Sequence, residues 1–384
     1  MTDLAVPARL APKDHGSTAR MVLAWPGTRA LIAVAALFLI SPLIAPGSVG
    51  PTAIVSMLPF AALIAIVAIG QTLVIQQGGL DLSIPGAVTL GALIVARFGG
   101  DDALGLPAAI TVAILATAAF GLASGLVITL FGLPPLVVTI AVNALMIGTV
   151  QALSGGFATQ SPDALNQFAL SRWGGIPVLV FFALVLTLAV HVVLKLTRLG
   201  RRFELVGENP RSAANLGIGT RGYTIIAYVL SAALAAVGGV LLAGLLRTPT
   251  LTAGDDYLLP SIAAVVLGGT ALTGGRGSVV GTALGALFLA QLTQLVQTFT
   301  QATAGQNIVQ ALIIVVLAVI VGARFPNAWG IVVLIVLASL LAAAIGCLSM
   351  SLALIARREE TLIAAVNFFV LPLTFLSTAF MQRS

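Results

Sequence analysis

The sequence predicts an all-α polytopic membrane protein with about ten transmembrane helices and about two further hydrophobic helices at its C-terminal end. Three observations carry this. Of 384 residues, 59% are hydrophobic and 8% charged, and the mean hydropathy is +1.13, which is more apolar surface than a globular core can hide. The apolar residues come in runs of about 20, the length that crosses a bilayer core at about 1.5 Å per residue. The basic residues gather between the runs, where they set orientation. A formal charge of +6 would point to nucleic acid in a soluble protein, but charges placed this way do not, so nucleic acid is not an expected partner. Cys347 lies alone in an apolar run, and His15 and His191 are too few and too scattered for a metal site.

In chain order, residues 1–29 are polar and basic and lack the apolar core and cleavage site of a secretory signal, so they are expected to form a cytoplasmic tail ahead of an anchoring span. Spans are then predicted at Ala30–Ala45, Thr52–Ile75, Ile84–Phe98, Leu106–Leu130, Pro134–Leu153, Ile176–Leu196, Gly222–Leu246, Leu258–Leu272, Val279–Val296 and Asn307–Gly322. Two more follow, Ala328–Ala356 and Thr361–Phe380. The runs at 84–98 and 258–272 are short and flanked by glycines, the mark of broken or re-entrant segments buried by neighbours. Alternating the first ten spans from a cytoplasmic N terminus puts twelve Lys or Arg inside and three, Arg97, Arg172 and Arg247, outside. That asymmetry orients the chain.

The one long polar interruption runs from Leu196 to Arg221 and, with Lys195, carries six of the 18 basic residues. Its centre is punctuated as a short helix. Asn209 can cap, Pro210 suits the first helical position, and Gly217 can end the last turn.

No Walker lysine motif occurs, so nucleotide hydrolysis is not expected of this chain. The glycine clusters GGLDL (78–82) and GGTALTGGRGS (268–278) follow no strand and lack the lysine of a phosphate cradle. Asp81 is an acid set hard against apolar spans. An ionisable group at membrane depth is a functional candidate, including a coupling-ion site, yet a carboxylate capping the next helix at the water boundary is itself favourable by about 0.3–1 kcal/mol, and position favours the cap. Polar side chains within the spans gather at Gln71, Gln76, Gln77, Asn143, Thr149, Gln151, Gln291, Gln294 and Gln297. Singly, each is best explained by hydrogen bonding between helices. As a set they lean towards a path for a neutral, polar solute, with Gln71, Asn143, Gln151, Gln291 and Gln294 as the candidates.

Three stretches, GQTLVIQQGGLDLSIPGAVTLGA (70–92), GENPRSAANLGI (207–218) and LGGTALTGGRGSVVGTALGAL (267–287), resemble the ribose-type permease subunits of bacterial ABC importers, which share a superfamily with branched-chain amino acid permeases. The resemblance covers about 30–322, and departs from the family's usual small residue at Pro85. It implies a ten-helix permease domain that pairs with a second permease copy in the bacterial inner membrane, in contact with lipid. Such a subunit receives solute from a periplasmic solute-binding protein and is driven by separate ABC ATP-binding subunits. ATP and Mg are then used by those partners, with no cofactor on this chain. It also implies that the loop at 197–221 carries the ATPase-coupling helix, with Glu208, Asn209, Pro210, Arg211, Ala214 and Gly217 as coupling residues. Asp81 and Arg276 are the structural or gating candidates. Residues 346–382 resemble instead the permease of ABC exporters for drugs and polysaccharides, which sets 323–384 apart as a C-terminal tail. A branched-chain amino acid or nucleoside permease, and an ion-coupled secondary transporter using Asp81, stand as alternatives.

Overall fold

The computed structural model describes residues 26–100 and 104–299, together with Leu340. The chain divides into units of 1–314 and 315–384, and the architecture here is that of the first. Twelve helices occur among the described residues: α1 (Pro26–Ile44), α2 (Pro51–Gln76), α3 (Ile84–Phe98), α4 (Leu106–Phe131), α5 (Pro135–Ser154), α6 (Asp163–Leu170), α7 (Val178–Leu196), α8 (Arg198–Glu208), α9 (Pro210–Asn215), α10 (Thr220–Leu246), α11 (Asp255–Leu267) and α12 (Val279–Gln297). A 3-10 turn, Pro46–Val49, follows α1, and between α6 and α7 strands β1 (Arg172–Trp173) and β2 (Ile176–Pro177) pair as an antiparallel hairpin. Proline opens α2, α5 and α9 at a position whose N–H would have no intrahelical partner.

Seven of these helices, α1, α2, α4, α5, α7, α10 and α12, are long and apolar enough to cross a membrane, and the chain is a multi-pass membrane protein. They fall into two classes. The most apolar stretches of α2, α10 and α12 are 61%, 61% and 67% buried, whereas those of α1, α4, α5 and α7 are 22–28% buried. The inner helices therefore form the core, and the outer ones present residues such as Leu115, Leu184 and Leu188 outward. With lipid as apolar as leucine, the inner helices are held by close packing of small residues. A Cβ on Gly91 would stand 2.7 Å from the Ala236 carbonyl oxygen, and one on Gly121 would stand 2.5 Å from that of Tyr228. Thr72 and Thr282 add a buried hydroxyl contact of 2.9 Å between α2 and α12.

The two short runs are short helices, of 15 and 13 residues. The second ends five residues before the expected Leu272, because Gly268 and Gly269, the latter at φ 84°, turn the chain out of the helix. The central loop holds two helices where the sequence reading expected one. The expected spans at 307–322, 328–356 and 361–380, and the tail at 1–25, lie outside the described residues.

Candidate functional site

The long polar loop builds outward from the end of α7. Thr197 takes an extended backbone, and its hydroxyl oxygen accepts from the Gly200 N–H at 3.1 Å, which starts α8. Gly200, Phe203 and Val206 are buried at a spacing of three, seating one face of α8 on the bundle with the Phe203 ring edge-on to Tyr223 of α10. That spacing, with Thr197 ahead of it, was the sequence signal for this helix. Arg198, Arg201 and Arg202 are exposed, and Lys195 pairs with Glu204.

Asn209 closes α8 and opens α9. Its Oδ1 accepts from the Ser212 N–H at 3.0 Å, and Pro210 takes the first helical position. At the other end Gly217 adopts φ 74°, its N–H donates to the Ala214 carbonyl at 2.9 Å, and the Ile218 N–H donates to the Ala213 carbonyl at 3.1 Å. Both expected caps are therefore formed, the second as a paired C-terminal motif. Ala213 is buried, while Glu208, Asn209, Pro210, Arg211, Ala214 and Gly217 are all exposed on one short, fixed unit.

Beneath this unit the three glycine-bearing stretches, far apart in sequence, converge on the last turn of α2. The Gln76 carbonyl oxygen accepts from the Gly275 N–H at 2.9 Å, and the same oxygen leaves no room for a Cβ on Gly207. Gln77 Nε2 donates to the Phe203 carbonyl at 2.9 Å, and Arg276 Nε donates to Glu208 Oε1 at 2.7 Å. A Cβ on Gly274 would stand 3.0 Å from the Gly78 nitrogen, and Gly277 packs on the Gln76 amide. Arg276 is thus brought to Glu208 at the end of α8, a meeting that sequence position does not announce.

Past Gly78 the chain turns back along α10. A Cβ on Gly79 would collide with the Tyr228 hydroxyl. Asp81 is 2% exposed. Its Oδ1 accepts from the Ser83 N–H at 2.9 Å and from Ser83 Oγ at 2.6 Å, while Oδ2 accepts from Ser231 Oγ at 2.7 Å. Ser231 lies about 16 Å along α10 from its first residue. The carboxylate therefore sits inside the bundle, not at the water boundary that the sequence reading favoured, and Ser83 holds the N-cap position of α3. The first turn of α3 is satisfied from another helix, since the Gly86 N–H donates to Asn143 Oδ1 of α5 at 2.8 Å. The Gly254 N–H, just ahead of α11, donates to Thr89 Oγ1 at 3.0 Å and so ties the second broken segment to the first.

The span amides are dispersed. Asn143 serves α3, and Gln291 Nε2 donates to Ser41 Oγ of α1 at 3.2 Å. Gln71 is wholly buried in α2, and neither of its amide atoms has a partner among the described residues. Gln151 and Gln294 are half-buried on α5 and α12. Among the described residues no group of three or more His, Cys, Asp or Glu side chains comes together.

The family described as branched-chain amino acid transport system / permease component matches residues 53–321. The chain is 32% identical over 298 residues to the ribose import permease protein RbsC of Escherichia coli K12, covering 76% of this chain and 92% of that protein. It is also 32% identical over 286 residues to the ribose import permease protein RbsC of Bacillus subtilis, covering 73% and 88%. With the autoinducer 2 import system permease protein LsrD of Klebsiella pneumoniae it shares 32% over 250 residues, covering 61% and 72%. No solved structure matches the chain. The matched region takes in the α2–α3 break, the polar loop and the glycine-rich turn before α12, and the chain belongs to this family of transport-system permease components.

Proposed function

We propose that this chain is the membrane-spanning, non-catalytic subunit of an ATP-driven importer that moves a monosaccharide or similar neutral polar solute by alternating access. The observation that carries the reading is the polar loop. A helix of six residues capped at both ends by side chain and glycine, with Arg211 exposed on it, is a rigid body offered to a partner. ATP and Mg would be bound by separate ABC ATP-binding subunits, whose closure on nucleotide would push on α8 and α9. Arg211 is suited to pair in bidentate fashion with an acidic side chain there. Glu208, Asn209, Pro210, Ala214 and Gly217 would supply the shape that docks. In this reading the loop faces the cytoplasm of a bacterial inner membrane, with the N terminus on the same side, and a periplasmic solute-binding protein delivers solute at the opposite face. A second permease copy and membrane lipid cover the exposed leucines of the outer helices.

The solute class rests on two supports. Relatives at 32% identity carry ribose import in their names, and the spans offer amides, among them Gln71, whose head group has no partner among the described residues. Gln151 and Gln294 are the further path residues, while Asn143 and Gln291 reach the path with the part of their amides not engaged by Gly86 and Ser41. A branched-chain amino acid or nucleoside solute is the alternative within the family. The ion-coupled alternative is weaker, because Asp81 accepts three hydrogen bonds from serines.

The test is co-purification. The chain co-expressed with candidate ATP-binding subunits is expected to hold one through detergent extraction, and Arg211→Glu is expected to weaken that association roughly ten-fold or more, as reversing a charged contact does. Uptake driven by a proton gradient without any ATP-binding subunit would sink the reading.

A further inference from the structure

We propose that the C-terminal end of α8, the last turn of α2 and the 273–277 loop move as one rigid body, so that a push on α8 and α9 is delivered to the buried helices α2 and α12 and to the α2–α3 break. The proposal rests on the loop being the part that an ATP-binding subunit grips. Gly207, Gln76, Arg276 and Glu208 are then positioning residues for the transport cycle.

The argument starts from what holds α8. A single carbonyl oxygen, that of Gln76, is met both by Gly207 of α8, with no space for a methyl group, and by the Gly275 N–H. Gln77 grips the Phe203 carbonyl, and Arg276 grips Glu208. Interfaces packed to backbone contact have no slack, so displacement of one element must displace the others. The ion pair is the weakest member. With Arg276 85% exposed, it is worth under about 1 kcal/mol, so the rigidity comes from the glycine packing and backbone bond. The connection from α9 to α10, by contrast, runs through Leu216, Gly217 and Gly219, all exposed. That linker transmits force poorly.

The far side of the body leads inward. From Gln76 the chain runs through Gly78 and Gly79 to Asp81, which is bonded to Ser231 of α10. From the 273–277 loop it runs to Ser278, whose hydroxyl oxygen accepts from the Gly281 N–H at 3.0 Å and caps α12. The hydroxyls of Thr72 and Thr282 then clamp α2 to α12. A push on the loop thus reaches α2 and α12 through the packed body, and α10 through the Phe203–Tyr223 contact and the Asp81–Ser231 bond.

The experiment uses the full chain, with Cys347→Ser, reconstituted with its ATP-binding subunits and solute-binding protein in proteoliposomes. Glu208→Cys and Arg276→Cys are joined by a short bifunctional maleimide. One rigid body predicts that the linked protein keeps at least half the transport rate of the same double-cysteine protein capped at both sites with N-ethylmaleimide, so that the change to the docking surface at Glu208 is common to both arms. Loss of roughly ten-fold or more, the size of a broken coupling between sites, means the surfaces part during turnover and overturns the proposal. Gly207→Ala supplies the second reading. It is expected to leave ATP-binding subunits associated and ATP hydrolysed while the solute moved per ATP falls roughly five-fold or more. Unchanged solute per ATP in a folded Gly207→Ala protein overturns the proposal, and if that variant fails to fold the cross-link decides. Absence of any associated ATP-binding subunit in the unsubstituted protein overturns the functional reading, and this proposal with it.

Discussion

The turn at 77–83 and the turn at 268–278 are both glycine-rich, both follow an apolar helix and both precede another, yet they are fastened in opposite ways. The first is fastened by side chains. Asp81 gathers Ser83 and Ser231, and the segment is threaded past Tyr228 into the bundle. The second is fastened by backbone. Gly274 and Gly275 sit at φ 90° and 92°, and Gly275 donates from its main chain to Gln76, while Ala271, Leu272, Thr273 and Arg276 are exposed. The difference teaches that similar glycine content can build an internal anchor or a surface lever. What differs is the kind of buried polar group to be satisfied, the Asp81 carboxylate in the first turn and the Thr270 and Ser278 hydroxyls in the second.

Four substitutions break or sharpen this contrast. The largest effect is expected for Asp81→Ala, which leaves three buried donors without an acceptor and costs about 3 kcal/mol, read as a lowered melting temperature in detergent and reduced yield. Next is Gly79→Ala, at about 1–3 kcal/mol for overpacking. Because its clash is with the Tyr228 hydroxyl, which has no partner among the described residues, Tyr228→Phe in the same chain is expected to recover most of that loss. In the second turn, Thr270→Val removes the acceptor of the 3.3 Å bond from the Ser278 N–H and is expected to cost about 1 kcal/mol by the same melting measurement. Smallest in stability is Arg276→Ala, under about 1 kcal/mol for an exposed pair. If Arg276→Ala destabilises as much as Asp81→Ala, the two turns are not different in kind.

Much of the fold was legible. Run length and hydropathy placed every described span within a few residues except the end of α11, and the capping residues around 209–217 were read correctly because caps are local chemistry. The interruption at Gly268 was misjudged because Leu272 belongs to the same apolar run on either side of a backbone turn. The helix α8 was missed, although Thr197 and the Phe203 and Val206 spacing marked it. The convergence on Gln76 left no mark in the sequence, since a main-chain carbonyl is common to all residues and only distance reveals which one is shared. Asp81 was placed too near water for a related reason. Its partner Ser231 is an ordinary serine in an alanine-rich helix, and nothing local says that residues 79–83 climb back beside it. Asn143 and Gln291 illustrate a third case, in which residue type is informative but partner is not.

The way α3 is completed has a consequence for how the protein is made. Its first turn depends on Asn143, 57 residues further along the chain, and the carboxylate before it depends on Ser231, 150 residues from Asp81. While the chain is still being synthesised, residues 77–98 reach the membrane with a charged group and helix-end N–H groups that lipid cannot satisfy. The segment's hydrogen bonds are complete only once α5 and α10 are present, so the broken helix is specified by parts of the chain that follow it.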